Sequence, residues 1–188
     1  MHSIRPAATP TFAAILPCYN QYGNSATILT ADGVCRYSAV SVRTWLRRLA
    51  SERAIDLTAL KRHTERLTGQ RILHILPFAD DLLLIPVKVR TPKVNRDNCT
   101  GYVNACCVDT VQSCADDPHK ARIVLQSGSE IPTVWTALTV EKYLRAARLL
   151  AASSYTPHAS AQPELLTISR KLVEVFHDIL LLKAQKPL

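Results

Sequence analysis

The side chains of this 188-residue chain that could do chemistry are its six cysteines, its six histidines and two clusters of cations. Cys18 and Cys35 stand alone, and Cys99, Cys106, Cys107 and Cys114 are separated by six, none and six residues, with no Cys-x-x-Cys pair. Tetrahedral zinc usually takes ligands about two to four residues apart, so that one tight turn presents both. Adjacent Cys106 and Cys107 on a strand would point to opposite faces and could not chelate together. No metal and no other cofactor is therefore expected, and the thiols should behave as small reduced hydrophobes. Cys18 or Cys99 could form a thiol–imidazole pair with His63, His74 or His119, but the spacing singles out no such pair. Asp80-Asp81, between Pro77 and an apolar run, fits a turn better than a paired-carboxylate site. The chain has no Gly-x-x-x-x-Gly-Lys-Ser/Thr, Gly-x-Gly-x-x-Gly or Gly-x-Ser-x-Gly sequence, and only five glycines from which to build a phosphate loop. An enzyme is not expected.

The cations say more. The formal charge is +8, from 23 Lys and Arg against 15 Asp and Glu. Between Arg36 and Arg71 lie nine basic residues and three acidic ones. Lys88, Arg90, Lys93 and Arg96 form a second basic stretch, with one acid, Asp97. Clustering of this kind is the electrostatic footprint of a protein that binds a phosphate backbone, the plain alternative being a solvated face. The first eleven residues lack the apolar core of a secretory signal. The longest apolar runs, Leu82 to Val87 and Ile179 to Leu182, are far shorter than the roughly 20 residues of a membrane span. A cytoplasmic setting without membrane contact is expected.

Two kinds of element must position these cations. Thr11 to Leu16 reads as a strand stopped by Pro17. Asn24 to Thr30 and Val34 to Tyr37 flank Ala31, Asp32 and Gly33 as a hairpin. From Val40 the period changes: Val42, Trp45, Leu46 and Leu49 line one helix face, leaving Arg43, Arg47 and Arg48 outside. A second helix is predicted over Leu57 to Leu67, capped by Asp56 and stopped by Gly69, with Leu57, Leu60, Thr64 and Leu67 inward and Lys61, Arg62 and Arg66 outward. The pair does not read as a helix-turn-helix, since no glycine marks the join and strands flank it on both sides.

Strands resume at Arg71 to Leu76 and Leu82 to Val89, with Leu82 to Ile85 buried on both faces. Thr91 to Thr100 is a polar, basic loop, and Gly101 to Val111 one long strand. Asp116-Asp117-Pro118 turns the chain into a hairpin of Ala121 to Leu125 and Ser129 to Val134 around Ser127-Gly128. Leu138 to Ala152 is a helix with Val140, Leu144, Ala147 and Leu150 or Ala151 on one face. The predicted class is α+β: a mainly antiparallel β core over residues 1–152, with a two-helix insert at 40–68 and C-terminal helices. Residues 153–162 form a linker and 163–188 an amphipathic helix, striped by Leu165, Ile168, Leu172, Val175, Phe176, Ile179 and Leu182.

The order and spacing of these pieces resembles the competence transcription factor (ComK-like) family. The resemblance runs through Ala14-Ile15-Leu16-Pro17, Leu82-Leu83-Leu84-Ile85-Pro86 and Gly101-Tyr102-Val103-Asn104 to Ile123-Val124-Leu125-Gln126-Ser127-Gly128-Ser129-Glu130-Ile131-Pro132 and a helix containing Arg145. The closing strands also look like LytTR-type DNA-binding domains. The chain departs from the family in a longer helical insert, in Ser127-Gly128 where Asn-Gly is typical, and in a more apolar C-terminal helix. The resemblance implies a transcription activator that binds A/T-rich promoter DNA as a multimer through the minor groove.

The residue chemistry is compatible with that implication. Narrow A/T minor grooves carry enhanced negative potential and favour Arg and Lys reaching in from loops. Lys88, Arg90, Lys93, Asn95, Arg96 and Asn98 are the expected readers of sequence, and Arg43, Arg47 and Arg48 the expected holders of phosphates. The apolar stripe of 163–188 leads to an expected homodimer and leaves room for a regulatory protein partner. A non-catalytic protein-interaction module working through that helix is the alternative function.

Overall fold

A computed structural model of the chain describes residues 12–20, 23–92 and 97–154. The chain divides into two compact units, 1–152 and 153–188. Of the predicted linker, Ser153 and Ser154 are helical instead, continuing the helix expected to end at Ala152; the rest of the linker and the amphipathic helix at 163–188 lie outside the described residues, and with them the element from which self-association is expected.

The predicted α+β class, with its mainly antiparallel β core, is what the structure shows. Strands β1 (Phe12–Asn20), β2 (Gly23–Thr30), β3 (Cys35–Ser38), β4 (Leu76–Ala79), β5 (Leu82–Lys88) and β6 (Thr100–Asn104) build a six-stranded sheet in the order β3-β2-β1-β6-β5-β4. Strands β7 (Val108–Ser113), β8 (Ala121–Leu125) and β9 (Glu130–Thr133) form a second sheet in that order. Helices α1 (Val42–Glu52) and α2 (Leu57–Thr68) are inserted between β3 and β4, and α3 (Ala137–Ser154) follows β9.

The large sheet carries a core on each face, and the alternation of its strands decides which side chain goes where. Leu82 and Leu84 of β5 join Ile15, Ala26, Val42, Leu46 and Leu49 under α1. Leu83, Ile85 and Val87 point the other way, into a core shared with Ile123, Leu125 and Ile131 of the second sheet and Val140, Leu144, Ala147 and Leu150 of α3. Residues Leu82 to Val87 are all buried, which explains why this run shows no polar alternation. The Lys88 carbonyl ties the two sheets, accepting from the Thr133 hydroxyl at 2.7 Å and the Val134 amide at 3.0 Å.

Local sequence accounts for the helix ends. Ser41 caps α1 by accepting from the Thr44 amide at 3.3 Å. Asp56 caps α2, and Gly69 stops it in the left-handed conformation at φ 70°. Four expectations are corrected. Pro17 does not end β1, which runs on to Asn20. β1 pairs with β6 at Ala14 and Ile15, and the pairing stops short of Pro17, so a missing amide is tolerated there. The strand expected at 71–76 is displaced to β4, because Leu73 at φ 56° bends the chain first. Leu67 is 52% exposed rather than inward, since α2 packs on β4, the edge strand of the sheet.

The fourth correction matters most. The stretch expected as one strand from Gly101 to Val111 is broken by a 3-10 turn at Ala105–Cys107, which passes the chain from the large sheet to the small one. Cys106 and Cys107 are therefore not strand residues; Cys106 is exposed and Cys107 buried.

Gly101 is required at the centre of the large sheet. A Cβ there would stand 2.9 Å from the Ile15 carbonyl oxygen and 3.2 Å from the Pro17 ring. Backbone cannot give way as a side chain can, so Gly101→Ala is expected to cost about 1–3 kcal/mol in urea unfolding, the usual range for overpacking. A stability within error of the wild type would show that β1 and β6 part readily at this point.

Candidate functional site

Arg43, Arg47 and Arg48 are all exposed on α1, as the helical period requires once Val42, Leu46 and Leu49 are buried. Arg43 and Arg47 stand one turn apart, roughly 6 Å along the axis. They line a groove of about 680 Å³ between α1 and α2, together with Lys61 of α2, His74, and Asn98, Thr100 and Tyr102 leading into and along β6. Lys61 was legible only as an outward residue of α2; the packing of the two helices turns it toward the arginines. Burial first, and then Arg43 and Arg47, hold its ammonium below the ordinary lysine value.

Among the described residues one acid, Asp56, lines the groove, and its Oδ1 already accepts from the Thr58 amide at 2.8 Å and the Ala59 amide at 3.2 Å. Among the described residues no ion pair involves Arg43, Arg47, Arg48 or Lys61. Apolar Val42, Leu46, Leu57 and Leu73 complete the walls. Burial, with Tyr143 adding, pushes the Tyr102 phenol up to about 12, so the ring on the groove floor stays neutral.

The basic loop divides. Lys93, Asn95 and Arg96 lie outside the described residues. Lys88 closes β5 with its side chain exposed. Asn98 reaches the groove of Arg43 and Arg47, a juxtaposition no local pattern could foretell. Arg90 is engaged inward: it donates to Asp97 at 2.8 Å, to the Asn98 carbonyl at 2.9 Å and to Asn24 at 3.2 Å, and lies 3.9 Å from the centre of the Tyr19 ring. The Asp97 side chain is wholly buried in this pair. A hydrogen bond to that carboxylate, and some burial, raise the Tyr19 phenol above its ordinary value, with Arg90 pulling the other way. Arg90 thus fixes both ends of the loop.

Among the described residues no further Lys, Arg or Cys lines this groove. Arg122 pairs with Asp116 and with Glu130. Burial raises the Cys106 and Cys107 thiols above the ordinary thiol value. Among the described residues no group of three His, Cys, Asp or Glu is placed to hold a metal ion, and no helix is long and apolar enough to cross a membrane. The chain matches no family model, no curated protein and no solved structure.

Proposed function

We propose that the protein is a non-catalytic, sequence-preferring double-stranded DNA-binding transcription regulator, with the preference for A/T-rich promoter sites that its resemblance to competence transcription factors implies. One observation supports this reading above the others: α1 presents Arg43, Arg47 and Arg48 on an exposed face without an acidic partner among the described residues. Unpaired exposed cations on a rigid helix hold their charge in position for phosphates and lose only water and counterions on binding. Asn98 lies in the groove beside them, and an Asn can reach the minor-groove acceptors of either A/T pair. Arg90 contributes by holding the loop that carries Lys93, Asn95 and Arg96 rather than by touching DNA itself.

Filter retention of A/T-rich duplex at graded salt tests the reading. Neutralising about five to eight phosphates gives a log-log slope near −5 to −7. Replacing Arg43 and Arg47 by Ala should flatten that slope by about 2 and weaken A/T-rich and G/C-rich duplex alike. Lys93→Ala with Arg96→Ala should instead narrow the preference between them. Arg122→Ala, whose cation is already paired, should change neither. A slope shallower than about −2, or no retention at low salt, removes DNA as the partner.

A further inference from the structure

We propose that the groove between α1 and α2 binds a small phosphoester, its phosphate held by Arg43, Arg47 and Lys61 and its organic part laid on Tyr102, Leu57 and Leu73. The site shares Arg43 and Arg47 with the proposed DNA face, but its case stands without DNA. Exposed arginines alone would suit any polyanion; what sets this place apart is a half-open groove in which three cations, a histidine and apolar side chains share the walls. At about 680 Å³ the groove has the volume of a small-molecule site.

Lys61 is drawn partly out of water beside two further cations, and burial and their repulsion both work against its charge. A phosphate placed among the three relieves that repulsion, and the arginine fork matches phosphate oxygens in geometry as well as in sign. Asp56 does not serve as the counterion, because its carboxylate is engaged at the start of α2. His74 lines the same groove, and its Nδ1 is buried without a hydrogen-bond partner among the described residues. A polar ligand atom would satisfy it. The walls are partly apolar: a bare inorganic anion would leave Leu57, Leu73 and the Tyr102 ring uncovered, whereas a phosphoester with a planar body covers them.

Calorimetric titration of the full-length chain with adenosine monophosphate as the probe decides the matter, with adenosine and inorganic phosphate titrated in parallel. One saturable site with Kd of about 1 mM or tighter is expected for the nucleotide. Adenosine, lacking the charge, and phosphate, lacking the ring, should each bind at least about tenfold more weakly. Lys61→Met should weaken the nucleotide about tenfold or more, as a lost charged hydrogen bond does. Arg47→Gln, on an exposed position that folding does not need, should do the same. Equal affinity for adenosine and the nucleotide, no effect of either substitution, or no saturable heat would each overturn the proposal. Duplex retention measured on the same preparations separates the two readings. Retention without nucleotide binding sinks the groove site and leaves DNA standing, and nucleotide binding without retention does the reverse.

Discussion

Asn104→Ala should lower the unfolding free energy by about 3 kcal/mol, because it strips partners from a buried turn at about 1–3 kcal/mol for each group left unmatched. Asn104 is wholly buried where the chain leaves the large sheet. Its Oδ1 accepts from the Leu83 amide at 3.1 Å and from the Cys106 amide at 3.2 Å. Its Nδ2 donates to the Asp81 carbonyl at 2.8 Å. Leu83 is buried, so its amide would lose its partner with no water to replace it, while the exposed Cys106 and Asp81 would recover some solvation. That asymmetry sets the estimate below the sum of three buried bonds.

Asn104→Asp keeps the acceptor but replaces the donor, and sets a carboxylate against the Asp81 carbonyl. It should therefore cost at least as much as Ala, although it fills the same space. Urea midpoints of the two variants check the account. At roughly 2–4 °C for each kcal/mol in a unit of this size, Asn104→Ala should melt about 6–12 °C early. A loss under about 1 kcal/mol for Ala, or a well-tolerated Asp, would mean that packing and not hydrogen bonding holds the turn.

The second large effect is expected at the pair of Arg90 and Asp97. Arg90→Met leaves the Asp97 carboxylate buried without its guanidinium, and losing one partner of such a pair costs about 3–5 kcal/mol. Met keeps an apolar stem over Tyr19, so the loss reports charge rather than volume. Adding Asp97→Asn should restore most of the stability, since removing both charges of a buried pair is often nearly neutral. The double variant, stable but without its clamp, would then separate folding from function: it should lose the preference for A/T-rich duplex while keeping general affinity through α1. Additive single losses in the double-mutant cycle would show that the two side chains do not act as a pair.

Much of the architecture follows from short-range pattern. The change from period 2 to period 3.6 at Val40 places α1, and Asp56 and Gly69 bound α2 because a side-chain acceptor and a left-handed glycine satisfy helix-end groups locally. Gly33 at φ 84° and Gly128 at φ 81° turn the two hairpins where a side chain would be strained. The apolar run of β5 signals burial on both faces, and the exposure of Arg43, Arg47 and Arg48 follows from the periodicity that buries Val42, Leu46 and Leu49.

What sequence alone determined about this protein is thus its class, most of its element boundaries and which cations stand outward. Tertiary structure decided how they combine. Gly101 to Val111 reads as one strand because no turn signal within it marks a break; the break is made by Asn104 bonding an amide 21 residues earlier in the chain. β1 continues through Pro17 because its pairing with β6 stops at Ile15, and Lys61 meets Arg43 and Arg47 because two helices pack. Arg90 reads as a free surface cation until Asp97, Asn24 and Tyr19 close around it. In each case the deciding partner lies outside the window of a turn or a few residues, and the energy that selects it is that of burying charges and backbone groups only where a partner awaits them.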